Sequence, residues 1–460
     1  MEMKIAREQT APVWFYSLAV LITQLDGGAV STLLSSIMHQ YQLTPTAVSW
    51  VSGLYTLGLV IATPVVANWA NLFGERRVFL SELALWFVGA LVTFVAPSYS
   101  LVLVGRLLQA AGDCGIIVMS IDAMIAAARH NHQGRKVSLM GIMSGLAALL
   151  APIIAGITLG ATGNWHNFYG LMLPLLVILF MLGWKVLPNE GGQVKYSADW
   201  LGALAFSAGL AAWMLALMFA QHLMQHWSLV VGLVIVGVIF FALFVRIEHR
   251  LPTTQLPFLP LKLLRQRPYQ QTILLGTLGG MFFALFVYIP TYLSASFDLS
   301  AQAPGMMLTA PGLGSLLGAL FGGLLVDKMG NRFTMVSAAG LLALSTLGIA
   351  LTITNLRAFL GLAFLMGIGM GALMSAPLQV IAGRLAGHSN RAQAIGGLSA
   401  GKKVGLTIAP LLFATSMDLL SMGHHLTTAS FQSIFFISAA LAVVCLIIAA
   451  IMPLGEANHE

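Results

Sequence analysis

The chain reads as a succession of apolar stretches of about twenty residues, separated by short polar turns. The first six fall near residues 14–36, 48–70, 78–96, 101–127, 136–160 and 166–187, and two more near 200–220 and 228–246. The last six fall near 271–296, 304–326, 333–353, 357–382, 394–416 and 430–452. A helix rises ~1.5 Å per residue, so ~20 apolar residues cross a hydrocarbon core of ~30 Å. The pattern predicts fourteen membrane-spanning helices.

The polar turns orient those helices, because cytoplasmic loops carry the excess of Lys and Arg. With the N-terminus inside, the inner segments hold Lys4, Arg7, Arg76, Arg77, Arg129, Arg135, Lys136, Lys185 and Lys195. They also hold Arg246, Arg250, Lys262, Arg265, Arg267, Lys328, Arg332, Arg384 and Arg391, eighteen of the 22 basic residues in all. The outer side has Arg357, while Arg106, Lys402 and Lys403 fall within spans. Losing one helix would invert every later loop and destroy this split. The sequence therefore predicts an all-α polytopic membrane protein with fourteen spans and both termini cytoplasmic.

Composition narrows the field further. Hydrophobic residues make up 58% of the chain and charged ones 8%, where a soluble domain carries about 25% charged residues. Cys114 and Cys445 sit inside apolar runs, so no disulfide framework and no cysteine metal site are expected. The net charge of +7 is scattered through loops, which argues against a nucleic-acid partner. The first apolar run follows Lys4 and Arg7 but lacks a small-x-small cleavage site, so it reads as a span rather than a signal peptide.

An internal echo divides the chain. Ala67-Asn68-Trp69-Ala70-Asn71-Leu72-Phe73-Gly74-Glu75-Arg76-Arg77 follows the second span, and Gly323-Leu324-Leu325-Val326-Asp327-Lys328-Met329-Gly330-Asn331-Arg332 follows the tenth. If each turn closes the second helix of a six-helix half, spans 7 and 8 are an inserted hairpin. The expected domains are 1–190, a six-helix bundle; 191–268, the hairpin with a cytoplasmic linker; and 269–460, a second six-helix bundle. Two related halves around a midplane site is a recurring transporter plan.

With these elements in place, the sequence resembles the fourteen-span drug:proton antiporters (multidrug exporters) of the major facilitator superfamily, over nearly the whole chain. The resemblance rests on Leu25-Asp26 in span 1, the two charged turns, and Arg106-Leu107-Leu108-Gln109-Ala110-Ala111-Gly112 in span 4. It rests also on Ala151-Pro152-Ile153-Ile154-Ala155-Gly156 in span 5, which is similar to the antiporter Pro-Gly motif. Pro290-Thr291-Tyr292-Leu293 followed by Ala310-Pro311-Gly312-Leu313-Gly314 is similar to the family's ninth and tenth spans. It implies a major facilitator fold (6+2+6 helices), alternating access, protons exchanged for a small-molecule substrate, and no cofactor. It further implies a monomer among the lipids of a bacterial cytoplasmic membrane.

The chain also departs from the family. Asn71 stands where the family's turn aspartate belongs, Ala67 replaces its glycine, Glu75 replaces a basic residue, and Lys402-Lys403 replace the usual Arg-Gln. That turn helps lock the family's halves together at the cytoplasmic face. Asn71, Gly74, Arg76 and Arg77 in the first turn, and Asp327, Gly330 and Arg332 in the second, are therefore gating candidates.

Charged side chains within spans cost several kcal/mol unless they face a cavity or a partner. The acids in question are Asp26, Glu82, Asp113 and Asp122. At ~1.5 Å per residue, Asp26 lies about 18 Å into span 1, Asp113 about 17 Å into span 4 and Lys402 about 12 Å up span 13. Arg106 and Asp113, seven apart, share a helix face, whereas Asp122 lies on the opposite face near the cytoplasmic end. Asp122 is expected to pair with Arg76 or Arg77, a structural role.

A carboxyl kept from water holds its proton more tightly, and a nearby cation loosens it. Asp26, Asp113 and Glu82 are thus candidate proton carriers, with Arg106 as their modulator; a buried ion pair that fixes packing is the plainer alternative. Lys402 and Lys403 point about 100° apart, so one faces the cavity while the other snorkels or pairs. The lysines favour anionic cargo and the acids favour cations, which leaves cargo charge open. Tyr55, Tyr288 and Tyr292 are the aromatic cavity candidates, because a buried hydroxyl needs a partner; Trp50, Phe282 and Phe283 default to core or lipid. Gly145, Pro152 and Gly156 read either as loose packing or, as the resemblance implies, as a bend and close helix contact that prevent leak.

Two further patterns mislead. Gly396-Gly397-Leu398-Ser399-Ala400-Gly401-Lys402 has P-loop spacing, but Lys403 replaces the required Ser or Thr and no strand precedes it. His222 and His226 have metal-ligand spacing but border an outer loop without the HExxH glutamate. With no HExxH and no Cys/His set either, the chain reads as no enzyme. The function expected is proton-coupled export of amphipathic small molecules. Export or flipping of an anionic metabolite or lipid, and proton-coupled uptake, are the alternatives.

Overall fold

The computed structural model describes residues 13–128, 132–188, 197–220, 223–251, 255–256, 261–297, 306–420 and 428–453. Apolar runs fold as helices because a helix pairs every backbone N–H and C=O within its own segment, which a bilayer requires. The first seven helices are α1 (Val13–Gln40), α2 (Pro45–Phe73), α3 (Glu75–Phe94), α4 (Tyr99–Asp113), α5 (Ile116–Ala127), α6 (Gln133–Thr162) and α7 (His166–Val186). Next come α8 (Trp200–Ala220) and α9 (Leu223–His249), then a short α10 (Leu261–Leu264). The chain ends with α11 (Arg267–Met281), α12 (Leu285–Ser296), α13 (Thr309–Leu351), α14 (Leu356–Met374), α15 (Ala376–Leu420) and α16 (Thr428–Ile451). The only pairing outside helices, among the described residues, is β1 (Ser197–Ala198) parallel to β2 (Gln255–Leu256), with Ser197 opposite Gln255.

Local signals set several boundaries. Thr44 caps α2 by accepting from the Ala47 N–H at 3.2 Å, with Pro45 at the first helical position. Asn355 starts α14 by accepting from Arg357 N (3.1 Å) and Ala358 N (3.2 Å). Eleven helices among the described residues are long and apolar enough to cross a membrane, and α2 holds a shorter apolar stretch, Ala47–Thr63. Gly330 (φ 84°, ψ 168°) interrupts α13 and Gly387 (φ 66°) interrupts α15. Gly74, between α2 and α3, has nearly the conformation of Gly330 (φ 89°, ψ 142°), one that a side chain would strain. The echo between the two charged turns is therefore also an echo in the backbone.

Two apolar cores form. Phe15, Trp86 and Phe168 belong to the first, built mainly from α1–α7 and joined by Val326 of α13 and Ala376, Val380, Ala392 and Ile395 of α15; Leu275, Phe359 and Phe435 belong to the second, built mainly from α11–α16. At the seam between them α6 lies along α13, and α2 lies along α15. The α8–α9 hairpin rides on that seam through α8, which touches both α2 and α15. Leu57 and Val60 of α2 pack with Leu210 and Met214 of α8 and with Val404 of α15. Trp69 meets Trp200 at 5.4 Å near one end of α2, and Trp50 meets Phe219 at 6.0 Å near the other.

Candidate functional site

The first half gathers its ionisable groups where α1, α2, α3 and α4 converge. Small residues permit the convergence: a Cβ on Gly112 of α4 would collide with the Trp86 backbone of α3. Asp26, Glu82, Arg106, Gln109 and Asp113 are brought together there, and none exposes more than 3% of its surface. Arg106 donates through Nη1 to Asp26 Oδ2 (2.6 Å) and to Gln109 Oε1 (2.7 Å), and through Nε to the Val51 carbonyl (3.3 Å). Its guanidinium carbon lies 4.1 Å from the centroid of the Tyr55 ring. The Tyr55 hydroxyl donates to Asp113 Oδ2 at 2.7 Å. Tyr55 thus links the ion pair to the second acid.

Glu82 is held by a break in the fourth span. The chain leaves α4 at Asp113 and enters α5 at Ile116, so the Gly115 N–H is turned to Glu82 Oε1 at 2.6 Å. The Cys114 thiol reaches the same oxygen at 3.3 Å. Each of the three carboxyls has one oxygen engaged; the other (Asp26 Oδ1, Glu82 Oε2, Asp113 Oδ1) meets no donor in hydrogen-bond geometry, with the Thr23 hydroxyl beside Asp113. A carboxyl with one bare oxygen in a buried site can bind a proton there without dismantling its existing bonds.

The two lysines of α15 divide. Lys402 donates to the Met374 carbonyl at 2.7 Å, at the C-terminal end of α14, where a cation also suits the helix dipole. Lys403 turns to the other half, within electrostatic reach of Asp113, Glu82 and Cys114. The residues Gly396–Lys402 lie inside a continuous stretch of α15, so they form no phosphate-binding loop.

On the face bearing the charged turns, Asp122 pairs with Arg391 of the opposite half, which corrects the expected pairing with Arg76 or Arg77. Arg76 instead donates to the Trp184 carbonyl at 2.5 Å and lies 5.0 Å from the Trp184 ring, while Arg77 is exposed. Arg332 does the same for its own half, donating to the Ala450 carbonyl at the end of α16. Asp327 crosses the seam and accepts from the first N–H groups of α6, Gly134 at 2.8 Å and Arg135 at 2.9 Å. Arg384 adds a bond across the seam to Gln133 at 2.9 Å. In the first turn Glu75 takes the Tyr16 hydroxyl of its own half, and the Asn71 side chain lies outside the described residues.

The remaining candidates scatter. The Tyr288 hydroxyl donates to the Pro410 carbonyl at 3.1 Å, and Tyr292 donates to the Ile353 carbonyl from within a cage of Phe297, Phe359, Phe431 and Phe435. Both pack in the core of the second half, whereas the acids lie in the first. The helix α6 runs through Pro152 without interruption, and a Cβ on Gly156 would meet nothing within 4 Å. The close contact expected at Gly156 is not made there; it falls lower on α6, where Gly134 meets Gly323 and Gly145 faces Leu316. His222 lies outside the described residues.

Sequence reasoning missed Gln109 as a partner of Arg106 and missed the break at Cys114-Gly115. The glycines Gly112 and Gly115 on either side of Asp113-Cys114 were the signal for the second.

Comparisons with known proteins place the chain. Residues 16–304 and 272–459 match the Major Facilitator Superfamily. The chain is 31% identical to the uncharacterized MFS-type transporter YfiU of Bacillus subtilis (strain 168), over 88% of this chain and 80% of that protein. It is 25% identical to the multidrug resistance protein B homolog of Mycobacterium tuberculosis (strain ATCC 25618 / H37Rv), over 96% and 90% respectively. The crystal structure of the human organic anion transporter MFSD10 superposes with a TM-score of 0.70, covering 95% of this chain and 98% of that one at 14% identity, a likeness of fold. The chain is a multi-span membrane protein that belongs to the Major Facilitator Superfamily, a family of transporters and not of enzymes.

Proposed function

We propose that this transporter is a proton-coupled exporter of amphipathic small molecules, working by alternating access. The observation that carries the reading is the Asp26–Arg106–Tyr55–Asp113 chain with Glu82 beside it. It joins three buried carboxyls from three spans, each with one oxygen free to take a proton. Relatives named as multidrug resistance proteins support drug-like cargo. Gly330 and Gly387 divide α13 and α15, which supports fourteen spans in a 6+2+6 order. The basic loops then put both termini, and the face with the charged turns, in the cytoplasm.

Under this orientation the crossing bonds of Asp327, Arg384 and Arg391 close the cytoplasmic side. On α6, Gly134, Gly141, Gly145 and Leu149 touch α13 or its neighbours, whereas Ile153 (55%) and Ile157 (67%), nearer the outer end, are exposed. Protons arriving from outside would neutralise Asp113 or Glu82, weaken the hold of the halves on each other and favour release of cargo. On the cytoplasmic side the proton leaves as new cargo enters. Anionic cargo is the less favoured reading, because Arg106 is spoken for by Asp26 and Gln109, and Lys402 by the Met374 carbonyl.

Proteoliposomes with an imposed pH gradient, assayed for uptake of cationic and anionic dyes, test this. Asp113→Asn and Glu82→Gln should each cut gradient-driven transport at least about tenfold, a loss of only ~1.4 kcal/mol in coupling, while the variants still bind dye. Undiminished transport with the wild-type pH dependence in both variants would refute the carboxylate assignment.

A further inference from the structure

The seam between the halves divides charge by sign. The buried acids Asp26, Glu82 and Asp113 belong to α1, α3 and α4, and the lysines Lys402 and Lys403 to α15. Within the first half Asp26 is neutralised by Arg106 at 2.6 Å. Asp113 and Glu82 hold only neutral donors of their own half: the Tyr55 hydroxyl on one, the Gly115 N–H and the Cys114 thiol on the other. The cation within electrostatic reach of both, Lys403, belongs to the other half.

The backbone of α15 decides which lysine does this. Gly280 of α11 packs directly on the backbone at Lys402, and the Lys402 ammonium is fastened to Met374 of its own half. The next residue points about 100° away. Val404, one step further, packs on the cluster that Leu57 and Val60 of α2 form with Leu210 and Met214 of α8, and α15 lies along α2. Lys403 therefore projects toward the first half, where Asp113, Glu82 and Cys114 are the groups that act on it. Arg106 pairs with Asp26 and Arg391 with Asp122, while Lys403 faces Asp113 and Glu82 without having closed an ion pair on either.

We propose that Lys403 is a tethered cation that competes for the Asp113–Glu82 pair. When both acids are charged the ammonium closes on them and draws α15 against α3 and α4. A proton or an organic cation that takes its place frees α15 to move. The proposal rests on the exporter reading in one respect, that cargo and protons reach these acids; it adds a residue that sets how strongly a cation must bind to enter. Arg106 cannot serve in this role, being held by Asp26, Gln109 and the Val51 carbonyl.

Binding of tetraphenylphosphonium to the purified protein in nanodiscs, followed across pH, tests it. A unit charge removed from ~12 Å away, at an effective dielectric constant of ~20, changes the binding of a second cation by about tenfold. Lys403→Gln should bind the probe about tenfold tighter, with its pH midpoint moved upward, and Lys403→Arg should keep the wild-type affinity and midpoint. In the Glu82→Gln, Asp113→Asn background, Lys403→Gln should change nothing further. Equal affinity in wild type and Lys403→Gln, or the same gain with and without the acids, overturns the proposal; so does absence of probe binding in all variants. The binding cycle involves no gradient. If it holds while wild-type proteoliposomes fail to couple transport to protons, the exporter reading fails and the role of Lys403 stands.

Discussion

The two halves repeat one backbone plan and divide the chemistry unequally. The offset that carries Gly74 onto Gly330 and Asn71 onto Asp327 also carries the start of α3 onto the residue after Gly330. Under it Asp26 corresponds to Phe282, Glu82 to Ala338, Arg106 to Leu362 and Asp113 to Gly369. Where the first half buries an ion pair and two further acids, the second buries aromatic, aliphatic and small residues. Apolar packing needs no partner and tolerates a rigid bundle, whereas buried charges require partners and respond to protons. The second half is accordingly the plainer body. At the turns the inequality reverses: it is the second turn whose aspartate reaches across the seam.

The sharpest way to break this comparison is to give the first half a residue of the second. Arg106→Leu leaves Asp26 buried without its cation and should destabilise the protein by about 3–5 kcal/mol, read as thermal unfolding in detergent. Combining it with Asp26→Asn should recover most of that loss. A double variant no more stable than Arg106→Leu would show that the pair is not what holds the site.

A smaller effect is expected at the second turn. Asp327→Ala removes two charge-assisted bonds to the α6 N-terminus, about 1.5–3 kcal/mol taken from the closed arrangement. A cysteine introduced at Ala319, which sits against Gly141 in the seam, should then label more than about tenfold faster with a polar thiol reagent. Arg76→Gln, whose bonds stay within its own half, should leave that rate unchanged. Equal acceleration by both substitutions would remove the distinction between the turns. The smallest effect belongs to Arg391→Gln. Its pair with Asp122 is partly exposed, 10% and 27%, so about 0.5–1 kcal/mol is expected, and salt should diminish it.

Particular residues show how far the sequence could be read. Asp26, Arg106, Asp113 and Glu82 stood out because a charge in an apolar run is costly, and all four are buried and close together. The same reasoning could not choose their partners. It placed Asp122 with Arg76 or Arg77, neighbours by the order of spans, but Arg391 from the other half arrives first. It nominated Tyr292 on the strength of a hydroxyl, whereas a carbonyl of the adjacent loop satisfies that hydroxyl. The break at Cys114-Gly115, which aims an N–H at Glu82, was marked only by two glycines.

What the chain determined by itself is the membrane-spanning helical character and the identity of the ionisable residues that must find shelter. Both follow from a local rule: each run of apolar residues must satisfy its own backbone, and every charge within it must answer for its desolvation. The pairings were left to tertiary structure. Asp26 with Arg106, Tyr55 with Asp113 and Asp122 with Arg391 join residues 80, 58 and 269 positions apart. Their meeting depends on which helices adjoin, at what depth and with what rotation, and those are set by close packing at glycines across many spans at once.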